Sequence, residues 1–184
     1  KAVYHLMGGL LAWDGATLPG NPAVQLFDRD REPERMLRAA MDLEKGAWRF
    51  YQHAKEAVNN DSVARVLDQL SIAEEGHARL IYRFLQKMES GLPPFDELYR
   101  NLAGAILEGG QSVEDGCASL QPVESRSCTK IIDLALAIEF AAFDLYRVMA
   151  DRTESSEARE TFLAVAQAEK GHMRALARSV ESCL

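Results

Sequence analysis

Four carboxylates and two imidazoles fall into one register in this chain. Glu74 and His77 stand three apart in SIAEEGHARL (71–80), and Glu169 and His172 stand three apart in VAQAEKGHMRAL (165–176). Residues three apart on a helix share a face, so each Glu-x-x-His can grip a cation from one side. Thirty residues upstream of each pair lies another glutamate, Glu44 in LEKGAWRFY and Glu139 in IEFAAFDLY. Tyr51 and Tyr146 follow these glutamates by seven. All of these positions repeat at an offset of 95 residues, which marks a duplicated helix pair.

Four carboxylates buried together would cost many kcal/mol or take up protons. Two divalent cations cancel their charge, and a set with one imidazole and shared carboxylates per metal suits iron or manganese better than copper or a structural zinc. A single buried histidine is most often a hydrogen-bonded core residue; six such residues in one register are not explained that way. His53 breaks the repeat and His5 lies near the start of the chain, so neither is expected to bind metal. Glu75 is expected on a solvated face, and Trp48, Phe50, Phe140 and Phe143 in a core or interface.

The elements that must position these groups are helices. Apolar and small residues recur at helical spacing from Met36 to Val58, with Pro33 suited to a first turn. Asn59 to Ser62 form a capped turn. A second helix runs to about Glu89, where Gly91 and Pro93-Pro94 end it. Residues 90–127 form a long connection, with one helix expected over about Phe95 to Glu108, a stop at Gly109-Gly110 and a helical turn around Val113 to Leu120. A third helix starts near Ser127, a polar turn spans Asp151 to Ser156, and a fourth helix follows. Short turns make each successive pair antiparallel, and the long connection can cross the length of the bundle. The expected fold is all-α, a four-helix bundle with one crossover, and its pseudo-two-fold axis brings the six groups to one level.

The complete motif set resembles the ferritin-like di-iron carboxylate family over about residues 33–184, excluding most of the connection, and within it rubrerythrin and its short relatives. By that resemblance Glu74 and Glu169 bridge two iron ions per chain (manganese or a mixed pair being the other choices). Glu44 and Glu139 are terminal ligands, and His77 and His172 each cap one metal. Tyr51 and Tyr146 are the catalytic side chains, donating to carboxylates. The resemblance implies an oxidoreductase that reduces hydrogen peroxide or dioxygen with electrons from an external donor protein. The alternative is ferritin-type iron sequestration with ferroxidase activity. Two features depart from rubrerythrin: Ala142 stands where that family carries a further glutamate, and no four-cysteine rubredoxin module is present.

Residues 1–20 resemble the C-terminal end of a rhodanese domain, through Val3 to Leu6, Gly8-Gly9, Leu11 to Trp13 and Leu18-Pro19. The expected division is an arm at 1–24, a linker at 25–32 and the bundle from 33 to 184. No sulfurtransferase activity is assigned, since no cysteine sits in a suitable loop. The apolar arm needs cover, and a second copy of the chain, making a homodimer, is the expected partner.

The 184 residues suffice for one domain with its own core, and a 47% hydrophobic content is ordinary for a globular chain. A net charge of −7 argues against nucleic acid as a partner. No stretch is long and apolar enough to span a membrane. Cys117, Cys128 and Cys183 form no Cys-x-x-Cys and no even disulfide framework, which points to a reducing, cytoplasmic compartment.

Overall fold

A computed structural model describes residues 33–120 and 127–183. The arm at 1–24 and the linker at 25–32 lie outside the described residues. Four long helices form the body: α1 (Pro33–Ala57), α2 (Asp61–Met88), α5 (Ser127–Arg152) and α6 (Ser156–Ser179). Two short helices, α3 (Phe95–Asn101) and α4 (Val113–Ala118), lie in the crossover, and a 3-10 turn (Val180–Cys183) follows α6. The described residues are thus all-α, in the ferritin-like four-helix arrangement expected.

The helices start where polar caps meet orphan backbone donors. The Asn60 side chain accepts from the N–H groups of Ser62 and Val63, which separates α1 from α2 after a three-residue turn. Ser155 does the same for α6 through Ala158 N–H. α1 packs along α2 and α5 along α6, and the two pairs meet chiefly through α2 and α6. Tyr51 bonds to Glu139 and Tyr146 to Glu44. As α1 runs from 44 to 51, its partners on α5 run from 146 to 139, so these two helices are antiparallel. α2 and α5, each antiparallel to α1, are therefore parallel to each other, as one long crossover requires.

The apolar interior is split in two. One half gathers Leu37, Met41, Ile81, Leu85, Met149 and Phe162; the other gathers Phe50, Leu67, Leu70, Ile131, Ile132 and Leu176. The charged cluster lies between them, with an apolar plug on each side and its four glutamates buried.

The crossover departs from the sequence expectation. Its first helix stops at Asn101 instead of continuing to Glu108. Leu102 turns extended (φ −66°, ψ 139°), and Gly104 takes φ +50°, a conformation that favours glycine. Side chains of α1 hold the departing segment: Asp42 Oδ1 accepts from Gly104 N–H at 3.0 Å, and Arg49 donates to the carbonyls of Ala103 and Gly104. These long-range contacts outcompete the local helix propensity of residues 102–108. The chain then forms a tight reverse loop, with Ile106 bridged to Ser112, Leu107 N–H on the Gln111 carbonyl and Gly110 N–H on the Leu107 carbonyl.

The cysteines are a second correction. Cys128, at the start of α5, is joined by a disulfide to Cys183 in the final turn, with their Cα atoms 5.7 Å apart; Cys117 is free. An odd count of three hides a pair plus one remainder, so a reducing compartment does not follow from these cysteines. Among the described residues no helix is long and apolar enough to cross a membrane.

Candidate metal centre

Each half of the bundle brings a lone glutamate on one helix and Glu-x-x-His on the next. The helical stripe that buries Leu37, Met41 and Tyr51 also faces Glu44 inward, and the stripe of α2 that buries Leu70 and Ile81 does the same for Glu74 and His77. Glu44, Glu74, Glu139 and Glu169 are all at most 3% exposed. His77 is buried and His172 half-buried.

The six groups meet. His77 Nδ1 lies 3.0 Å from Glu169 Oε1, 3.2 Å from Glu74 Oε2 and 3.4 Å from Glu44 Oε2. His172 Nδ1 lies 2.9 Å from Glu169 Oε2 and 3.0 Å from Glu139 Oε2. The two imidazole rings stack with centroids 5.4 Å apart. Two overlapping sets of side chains converge closely enough to hold a cation each: Glu44, Glu74, His77 and Glu169 on one side, and Glu74, Glu139, Glu169 and His172 on the other. Glu74 and Glu169 belong to both sets.

Both tyrosines reach this level from the opposite half. Tyr51 Oη donates to Glu139 Oε1 at 2.6 Å, and Tyr146 Oη donates to Glu44 Oε1. Both phenols are fully buried, and burial together with the adjacent carboxylates raises their pKa well above the ordinary value. They remain donors.

In the metal-free protein the cluster is held together by shared protons. Burial, followed by the charge of Glu169, pushes the Glu74 carboxyl well up. Burial also lifts Glu139 to about 8, against the hydrogen bond from His172. Burial works against ionisation of Glu169 too, but the hydrogen bonds from His172 and His77 outweigh it and hold that carboxyl at about 2. Burial alone would lower both histidines; the surrounding carboxylates instead raise His77, and raise His172 to about 9.

The residues fit a pair of divalent cations better than they fit one another. His77 Nδ1 carries at most one proton, yet three carboxylates crowd it within 3.4 Å. Glu44 Oε2 and Glu169 Oε1, both inaccessible to water, have no donor of their own: among the described residues the only donor near them is the His77 Nδ1 that they share with Glu74, at 3.4 and 3.0 Å. Buried carboxylate oxygens without donors are rare in folded proteins, and a cation is the usual remedy. Oxygen-rich donors with one imidazole each are the chemistry of iron and manganese.

His53 stays outside the cluster, and Glu75 pairs with Arg79 on the surface, as expected. Phe50 is core, while Phe140 is 58% exposed. One residue near the site was not foreseen. Glu108, at the tip of the crossover loop, is 1% exposed, and its Oε2 lacks a partner. The sequence placed it at a helix end; the one signal available was the Gly109-Gly110 pair, which announces a tight turn.

A crossover four-helix bundle with paired Glu-x-x-His helices and two further inward glutamates defines the ferritin-like di-iron class. The rubrerythrin family model matches residues 35–104 and 130–183, and the chain belongs to that family. Comparison with curated proteins and with solved structures returned no match. The rhodanese resemblance of residues 1–20 gains no support from the family match, which begins at residue 35.

Proposed function

We propose that the chain is a non-haem di-iron oxidoreductase of rubrerythrin type, reducing hydrogen peroxide or dioxygen with electrons from an external donor protein. The observation that carries this reading is the pair of overlapping ligand sets that share Glu74 and Glu169. In it, Glu44 and His77 would hold one iron ion and Glu139 and His172 the other, with Glu74 and Glu169 available to both. Two ferrous ions, when bound, supply the two electrons that O–O cleavage of a peroxide takes up, together with Lewis acidity at the reacting oxygens.

The chain's own residues set the conditions for that chemistry. The apolar plugs around Met41 and Leu70 keep the four glutamates out of bulk water, so charge interactions among them are strong. Tyr51 Oη and Tyr146 Oη keep Glu139 and Glu44 oriented and retain their protons beside the reacting centre. The three cysteines given cannot build a four-cysteine iron site, so the bundle itself holds no such electron donor and draws its electrons from outside the bundle. The homodimer belongs to the same reading, with exposed Ile72, Phe140 and Leu163 as apolar side chains that a second copy would cover.

The test is metal analysis of anaerobically purified protein, then stopped-flow oxidation of the reduced form by hydrogen peroxide and, separately, by dioxygen. Two irons per chain and fast oxidation by peroxide, lost in Glu74→Ala, are the expected results. A slow reaction with both oxidants, in a cage-sized particle holding many irons per chain, would move the assignment to iron storage.

A further inference from the structure

Glu108, on the crossover loop, is a fifth buried carboxylate among the described residues, and no helix periodicity put it there. It is carried by a loop whose geometry is fixed at several points. Leu107 N–H meets the Gln111 carbonyl at 2.9 Å, Gly110 N–H meets the Leu107 carbonyl at 2.7 Å, and Val113 N–H meets the Ala105 carbonyl at 2.9 Å. On α1, Gly46 lets the loop come close: a Cβ there would lie 2.2 Å from the Ile106 carbonyl oxygen. On the other side Gly109 rests near Ala141 of α5. The loop therefore spans the seam between α1 and α5 and turns Glu108 inward. In the metal-free cluster burial, and after it the charges of Glu44, Glu169 and Glu139, push the Glu108 carboxyl well up, and its carboxyl bears in turn on Tyr51 and Tyr146; divalent cations among those glutamates reverse that balance and favour the ionised form.

A partnerless carboxylate oxygen in such a place is costly, and no donor among the described residues reaches it. Charge counting suggests what offsets the cost. The four helix glutamates cancel two divalent ions, leaving nothing for the extra positive charge that appears when the ions lose electrons. We propose that Glu108 tunes the metal pair, its negative charge stabilising the oxidised ions over the reduced ones and so lowering the reduction potential of the centre. This rests on the di-iron reading above. Glu108 lies outside both converging ligand sets, so it acts through space rather than as one of the six holding groups.

Redox titration of the iron-loaded full chain tests this, comparing wild type with Glu108→Gln, Glu108→Leu and Glu108→Asp. The two uncharged variants are expected to favour the reduced form at least tenfold more than wild type at a given potential, about 59 mV upward for a one-electron step. Glu108→Asp keeps the charge and is expected to stay near wild type. Leu serves if Gln fails to fold, and the melting temperature of each metal-free variant reports on folding independently. Unchanged potentials in the uncharged variants, or an equal shift in Asp, would overturn the proposal while leaving the di-iron reading intact. A wild-type chain that takes up no iron would instead remove the di-iron reading, and this one with it.

Discussion

The tyrosine hydroxyls are the most open to test of the single groups around the site. Each is the donor to a buried glutamate oxygen that has no alternative partner, and removing one strands an acceptor in the dry interior. Tyr51→Phe and Tyr146→Phe are each expected to lower stability by about 1–3 kcal/mol, read from urea midpoints at constant slope; midpoints equal to wild type would mean the bonds are not made. Proton sharing has its own signature in the metal-free chain. His172, raised to about 9 in the fold, contributes stability that is fully present below its unfolded value near 6.5 and is lost as pH rises through 9. Glu139, raised to about 8 by burial, contributes stability that is fully present below its unfolded value near about 4.3 and is lost as pH rises through 8, in the same direction. Glu169, depressed to about 2, opposes them only in acid, where its contribution is lost as pH falls. The metal-free melting temperature should therefore be highest near about pH 4–4.5, where Glu169 is already ionised and Glu139 still holds its proton, and decline toward about pH 9; a rise between about pH 5 and 9 would contradict the proton-sharing network. The six register residues and both tyrosines were legible because duplication wrote each of them twice. Glu108 was not, because it stands on a connection with no periodicity, and only contacts with Asp42, Gly46 and Arg49 decide where that connection goes.

Among the elements, α1 does two jobs: one face carries Glu44, and Gly46 two residues on seats the crossover. Gly46→Ala would drive a methyl into the Ile106 carbonyl, a backbone atom that cannot rotate away. We expect a loss of roughly 1–3 kcal/mol, with heightened proteolysis in residues 102–112. Gly76, in the middle of α2, is different: a methyl added there would meet nothing within 4 Å. Gly76→Ala should instead stabilise, by up to about 1 kcal/mol through helix propensity. Thermal melts of the two variants moving in the same direction would show that the loop is not seated as described. The long helices could be read from their stripes and caps, since both are local signals. The end of α3 could not, because residues 102–108 carry no strong breaker before Gly104 and yield to tertiary contacts instead.

At the scale of the whole molecule, the disulfide between Cys128 and Cys183 spans 55 residues and closes α5 and α6 into one covalent loop. Asn60 adds a second tie, donating to the Ser182 carbonyl at 2.7 Å, so the start of α2 is bound to the same terminus. Chain-entropy reasoning puts the contribution of such a loop on the order of 4 kcal/mol. Cys128→Ser, or reduction of the wild type, should lower the melting temperature by several degrees; identical melts with and without reductant would mean that the bond contributes nothing. Spacing alone could not have paired these cysteines, because connectivity depends on where α5 and the final turn meet. The crossed tyrosines bear on how the two repeats depend on each other. Tyr51 serves Glu139 and Tyr146 serves Glu44, so neither repeat satisfies its own carboxylate. Each repeat is the other's missing subunit, and the crossover has made one polypeptide of what is, by its hydrogen bonding, a two-fold dimer exchanging hydroxyls. A change confined to one tyrosine is therefore felt in the opposite repeat, and the two halves are free to diverge only as a matched pair.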